Sequence, residues 1–323
     1  MEVAMASPLP RPGGPPFLID GGLETSLIFR DGFELPSFAS FVLLDDARGR
    51  AGGRAGLEAY YRGFLNIAAA SGAGFVLDSP TWRANPDWGA ALGYDHDRLG
   101  AANRAAIAQL GNLRDEYAAV GAVVVNGCIG PRGDGYDPGK LMTADEARDY
   151  HRWQVVQLAE ADADMATALT MTNLEEAEGI AAAARDVGIP AVVSFTVETD
   201  GRLPTGMALA EAVARIEDKH GDAVAYYMIN CAHPSHFASA LDDDLLRARV
   251  AGIRANASRM SHAELDEAEE LDDGNPGELA SDYRGLMGAL PNVCVLGGCC
   301  GTDHRHVAAI AEVCVSEIKN RLS

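Results

Sequence analysis

The chain has 323 residues, 48% hydrophobic and 23% charged, and its 26 Lys and Arg against 47 Asp and Glu leave a formal net charge of -21. Nucleic acid and anionic membrane surfaces attract Lys and Arg and repel carboxylates, so this balance argues against both as principal partners, and no basic patch offsets it. The length admits one large domain or two ordinary ones, with a sizeable buried core either way.

Residues 1–16, MEVAMASPLPRPGGPP, hold five prolines and no apolar run long enough for a signal-peptide core, and read as a flexible tail. Beyond it, short β-rich runs alternate with Ala-rich helical stretches. Periodicity and turn residues predict strands over Phe17–Asp20, Phe75–Asp78, Val123–Asn126, Met165–Leu169, Ala191–Thr196, Ala225–Ile229, Ala251–Ala255 and Val293–Leu296. The third, fifth and eighth are continuous apolar runs, as parallel strands buried on both faces require, and each interval has room for a crossover helix. Eight such units predict a single-domain (β/α)8 TIM barrel over residues 17–323. No apolar stretch approaches the ~18 to 20 residues that cross a bilayer, so the chain is expected to be soluble.

Helix boundaries are legible in places. Thr143 followed by Glu146 predicts a capping box, and Gly188 with Pro190 ends the helix containing AAAARDVG. His262–Leu279 carries eight carboxylates and no Lys or Arg, which reads as a solvated segment on the barrel rim or a mobile lid after the seventh strand.

Six cysteines are too sparse for a disulfide scaffold, and a reducing, cytoplasmic setting is expected. In a barrel of this kind the functional groups sit on the loops after the strands. Cys231 closes the run AYYMIN, while Cys299 and Cys300 follow VLGG, so these three thiols can converge on one metal ion that keeps a position open. Cys294 and Cys314 read as packing residues.

The segments DGGLET (20–25), GPRG (130–133), SFTVETDGRLPTG (194–206), INCAHP (229–234) and GGCCGTDHRH (297–306) resemble those of the homocysteine S-methyltransferase family, from Phe17 to about Ile310. The resemblance implies a (β/α)8 barrel and one zinc ion per chain held by Cys231, Cys299 and Cys300. It also implies a substrate thiol as the further ligand, homocysteine as acceptor and methionine as product. Asp20, with Gly21 and Gly22 of the same motif, matches the family's contact to the amino group of the acceptor.

The chemistry is consistent with elementary thiol reactivity. An alkyl thiol with a pKa near ~8.5 is mostly protonated at neutral pH, whereas the thiolate is the nucleophile and zinc coordination removes the proton. A chain of this length is expected to lack separate folate- and cobalamin-binding modules, which favours a small sulfonium or quaternary ammonium donor: S-methylmethionine, S-adenosylmethionine or betaine. Aromatic faces stabilise such cations, and Phe38, Phe41 and Trp82 are the candidates on the first two loops. Partners are then a small-molecule thiol and a methyl donor, with a homo-oligomer open.

The chain departs from the family pattern at several positions. Leu169 stands where the family has a second amine-binding Glu, in ALTMTN. Either Glu24 or Asp78 supplies the missing charge, or the acceptor is another thiol, such as a mercapto acid without the amine. Cys128 stands where the family commonly has Ser, and reads as a small residue or a fourth thiol near the metal. His233 and His236, in CAHPSH, raise the alternative of a metal-dependent barrel hydrolase, although an all-thiolate site favours a soft sulfur ligand. A non-catalytic zinc-binding protein is a further alternative. His304 and His306, which open the last helix, suit capping or substrate positioning.

Overall fold

The computed structural model describes residues 9–45, 52–268 and 270–322. Eight parallel strands close into a barrel in chain order: β1 (Phe17–Leu18), β2 (Gly74–Asp78), β3 (Val123–Ile129), β4 (Met165–Met171), β5 (Ala191–Phe195), β6 (Val224–Asn230), β7 (Val250–Ala255) and β8 (Val295–Gly298). Phe17 pairs with Val295 and Leu18 with Leu296 to complete the ring. The outer layer comprises α1 (Gly53–Ser71), α2 (His96–Glu116), α3 (Ala144–Glu160), α4 (Leu174–Val187), α5 (Leu209–His220), α6 (Asp244–Arg249), α7 (Pro276–Ala289) and α8 (His304–Arg321). Strands buried on both faces by such a shell are expected to be apolar throughout, and β3, β4 and β5 have every residue buried.

All eight expected strands are present, with shifted ends. The eighth lies two residues nearer the cysteines than its apolar run suggested, because Gly297 and Gly298 continue the ladder opposite Arg254 and Ala255. A side chain is excluded there: a Cβ on Gly297 would lie 2.7 Å from the Asp20 carbonyl. Tyr283 of α7 fixes the same strand ends, its hydroxyl accepting from the Ala255 amide at 2.8 Å and donating to the Gly297 carbonyl at 2.5 Å.

The expected tail needs correction. Residues 1–8 lie outside the described residues, but 9–16 are tied beneath the barrel: the Gly13 amide donates to the Asn292 carbonyl (2.8 Å) and the Arg11 carbonyl accepts from the Cys294 thiol (3.1 Å). Cys294 and Cys314 are fully buried, as packing residues should be.

The Thr143 capping box forms, and Gly188 ends α4 in the left-handed conformation. At α8, Asp303 caps the first turn in a capping box with His306, while His304 stacks on Phe64 with ring centroids 4.1 Å apart. Burial would push the Asp303 carboxyl up, but hydrogen bonds from Arg305 and His306 outweigh it and bring the value down to about 2. A carboxylate depressed in the folded state adds stability that is present above its unfolded value, near 3.8, and lost as pH falls toward 2. Its partner Arg305 is exposed, so the expected effect is modest. Asp303→Ala should cost about 1 to 2 kcal/mol at pH 7, with the deficit shrinking between pH 4 and 2, as read from urea unfolding of both proteins across that range.

Candidate functional site

The C-terminal mouth of the barrel opens on a cavity of about 440 Å³. Cys231 follows β6 directly and takes φ +56°, a left-handed conformation that a cysteine adopts only when its surroundings impose it. The Cys231 amide donates to the Arg254 carbonyl (3.1 Å), and its own carbonyl accepts from Asn256 Nδ2 (2.9 Å) and the His262 ring (2.8 Å). Cys299 is held as firmly: its amide donates to the Ala255 carbonyl, and its carbonyl accepts from the Thr302 amide and hydroxyl.

The three sulfurs of Cys231, Cys299 and Cys300 lie within 4.8 Å of one another, with Cys231 and Cys300 3.6 Å apart. Two sulfurs each ~2.3 Å from a tetrahedral zinc ion are about 3.8 Å apart, so the donor set and its spacing fit that ion with one position left open. This is the only such group of metal-capable side chains among the described residues. Hydrogen bonds from Cys231 and Cys300, and then the nearby Arg254 charge, hold the Cys299 thiol well below its usual range, while the same bonds and burial push Cys231 up. Cys128 is buried at the cavity wall but lies outside the sulfur group.

The glycines of the first loop allow the cysteine loop to close. A Cβ on Gly21 would sit 2.8 Å from the Thr302 carbonyl, and one on Gly22 would sit 2.3 Å from Thr25 Oγ1 and 2.7 Å from the Cys299 carbonyl. These two residues act through their lack of a side chain.

The carboxylates are arranged otherwise than the sequence suggested. Arg254, on β7, is 5% exposed, and its guanidinium bridges Asp20 Oδ1 (2.5 Å) and Asp78 Oδ2 (3.0 Å). Asn126 Nδ2 donates to the other Asp78 oxygen at 2.6 Å, so Asp78 is spoken for and is a poor substitute for the missing Glu. Asp20 keeps one buried oxygen, Oδ2, without a hydrogen-bond partner. Burial, chiefly, and the neighbouring Asp78 push its carboxyl up, against the lowering effects of Arg254 and the Tyr60 hydroxyl. Glu24 also faces the cavity, where Ser40 donates to its Oε1 at 2.8 Å and burial raises its carboxyl. Leu169 lines the wall. Its carbonyl accepts from Trp82 Nε1 at 3.2 Å.

The aromatic candidates separate. Phe41 is fully buried against Tyr94, a packing role that removes it from the cavity. Phe38 stands at the mouth, 47% exposed. Trp82 lines the cavity, but the Arg83 guanidinium already lies 4.2 Å from its ring centroid, and Trp88 covers that same cation at 4.1 Å. His233 and His236 do not join the sulfurs: His233 bonds Ser235 and sits 3.5 Å from Asp282, and His236 bonds the Arg259 carbonyl. The acidic segment forms a helix over His262–Glu267 and then runs across the mouth, where Leu265, Asp266, Leu271 and Asp272 line the cavity; Glu269 lies outside the described residues.

A model of the family described as homocysteine S-methyltransferase matches residues 17–314. The chain belongs to that family. It is 27% identical over 190 residues to homocysteine S-methyltransferase 3 of Arabidopsis thaliana, covering 55% of this chain and 51% of that protein. To homocysteine S-methyltransferase 2 of the same plant it is 26% identical over 175 residues, covering 53% and 51%. The matched part thus spans about half the length of these curated relatives. Among solved structures, the homocysteine methyltransferase MmuM from Escherichia coli superposes in its oxidised form with a TM-score of 0.73 at 22% identity, over 92% of this chain and 95% of that one. Its metallated form gives 0.71 at 22% identity, over 92% and 96%. At that identity the likeness shows the fold, a TIM barrel.

Two residues at this site escaped sequence reasoning. Tyr136, from the loop after β3, places its hydroxyl 3.3 Å from Cys231 Sγ and 3.8 Å from Cys300 Sγ, and stacks on the His262 ring with centroids 4.1 Å apart. Nothing in its loop marked it. Arg254 carried a signal, an Arg within an apolar strand run, since a buried guanidinium requires carboxylate partners. Gly22→Ala tests how tightly the cysteine loop is packed: overfilling is expected to cost about 1 to 3 kcal/mol and to loosen metal retention, measured by urea unfolding and by competition with a chromogenic chelator.

Proposed function

We propose that this chain is a zinc-dependent methyltransferase that moves a methyl group from a small sulfonium or quaternary ammonium donor to the thiol of homocysteine, giving methionine. The observation that carries the reading is the convergence of three thiols on one side of a cavity at the C-terminal mouth of the barrel. Cys231, Cys299 and Cys300 would hold the metal. A zinc ion held there would supply the Lewis-acid chemistry that turns a thiol into a thiolate while leaving it nucleophilic.

The chain's own residues orient the two substrates. Asp20 Oδ2, buried and unpartnered, suits the ammonium group of the acceptor. Glu24 is the second carboxylate that the cavity offers, Asp78 being occupied. Tyr136, whose hydroxyl meets two of the sulfurs, narrows the space through which the methyl group must approach in line. Carboxylates of the overlying segment, Asp266 and Asp272, together with Asp134, line the cavity and favour a cationic donor. Trp82 adds an aromatic edge there, with one cation already stacked on it.

Leu169 favours a second reading, transfer to a thiol whose amine is absent. Turnover with homocysteine against its deaminated analogue separates the two, and a strong preference for the analogue would sink the homocysteine assignment.

The purified protein should contain one zinc ion per chain and transfer isotopically labelled methyl from at least one of S-methylmethionine, S-adenosylmethionine and betaine, detected as labelled methionine by mass spectrometry. Cys299→Ser should lower the rate on the order of 100-fold or more, since losing a ligand costs at least as much as losing the hydrogen bonds that support one. Normal transfer by metal-free protein would refute the reading. Chelation followed by zinc should restore the rate if the metal acts as described.

A further inference from the structure

Arg254 is built as more than a counter-ion. A guanidinium has five N–H donors, and four of them are engaged: Nε with the Gly298 carbonyl (2.8 Å), Nη1 with Asp78 Oδ2 (3.0 Å), and Nη2 with Asp20 Oδ1 (2.5 Å) and the Gly21 carbonyl (2.9 Å). The second Nη1–H has no partner among the described residues, although the side chain is 5% exposed and lines the cavity. Leaving a buried, charged donor unpaired costs free energy, so a ligand acceptor that reaches it is favoured. On the same ion pair, Asp20 Oδ2 is a buried acceptor that no donor meets in good hydrogen-bond geometry, the nearest group being the equally unmatched Tyr60 hydroxyl. An unused donor and an unused acceptor on one salt bridge form the complement of a zwitterion, an α-ammonium beside an α-carboxylate.

The location supports this. Arg254 Nε binds the carbonyl of Gly298, the residue before Cys299, so the guanidinium stands beside the sulfur group. A thiol carried two methylenes from an α-carbon would put its head group there while its sulfur reaches the cysteines. Leu169, which also lines the cavity, brings no charge to it.

Resting on the methyltransferase reading, we propose that Arg254 is a specificity-determining residue that reads the α-carboxylate of the acceptor amino acid through its free Nη1–H. The acceptor class is then a thiol amino acid, and an aminothiol without the acid group is discriminated against. The competing reader is Arg83, the other guanidinium on the cavity wall, which is held by the Gly133 carbonyl and sandwiched between Trp82 and Trp88.

The test is calorimetric binding of L-homocysteine and of 3-aminopropane-1-thiol, the same molecule without its carboxylate, to the purified metal-replete protein. Wild type should prefer homocysteine by about tenfold or more, the equivalent of one charge-assisted hydrogen bond. In the charge-balanced double variant Arg254→Gln with Asp78→Asn, the preference should fall to within about twofold while the aminothiol binds as before. Arg254→Lys, which keeps the charge and is the safer variant for folding, should retain only part of the preference, since Lys lacks the planar fork. Melting temperatures report whether each variant is folded.

A preference that survives in both Arg254 variants, an equal weakening of both ligands, or a collapse produced instead by Arg83→Gln would each overturn the proposal. So would wild type that binds the two thiols equally or binds neither. If wild type shows the preference but transfers no methyl from any donor, the methyltransferase reading fails and the assignment of Arg254 stands.

Discussion

A single buried guanidinium on one strand ties that strand to three others where the barrel opens. Arg254 on β7 spans Asp20, after β1, and Asp78, at the end of β2, and reaches the Gly298 carbonyl on β8. Removing those charges from water is expensive, and the arrangement is tolerable only because every carboxylate oxygen but one and every N–H but one is matched. The same requirement positions the cavity floor, because Gly298 leads directly into Cys299 and Cys300. Geometry at the sulfurs therefore depends on an ion cluster whose side chains make no hydrogen bond to the three cysteines, Arg254 meeting Cys231 only through its backbone carbonyl.

Backbone close packing does the rest of the positioning. Gly21 and Gly22 let the loop of Cys299 to Thr302 lie against the first loop at distances that no Cβ would permit. Across the cavity, the left-handed Cys231 is pinned by Arg254, Asn256 and His262. Tyr136 and His262, stacked together, link this corner to the loop after β3 and to the start of the acidic segment. The segment lines the cavity with Leu265 and Leu271 as well as with carboxylates, so its inward face is mixed, which its charge count alone did not indicate.

How much of this was legible depends on whether the signal is local. Strand runs buried on both faces announce themselves through apolar continuity, and capping residues such as Thr143 and Gly188 act on their nearest neighbours, so both were readable. Strand ends were less so: β8 extends through two glycines that carry no apolar signature, and only the close approach of the Asp20 backbone explains why they are there. The aromatic candidates show the same limit. Phe41 and Trp82 are alike in sequence terms, yet one packs against Tyr94 in the core and the other lines the cavity beneath a stacked Arg83.

The amino-acid sequence by itself determined the eight-strand alternation, the placement of three cysteines at strand ends, and the absence of a Glu at position 169, because each is a matter of residue type and spacing along the chain. Charge partnership was beyond it. Asp78 looked available as a replacement carboxylate until the closed barrel brought Arg254, 176 residues away, to within 3.0 Å of it. Pairing between side chains on different strands is set by barrel closure, and only the tertiary structure decides which charges neutralise each other and which are left for a ligand.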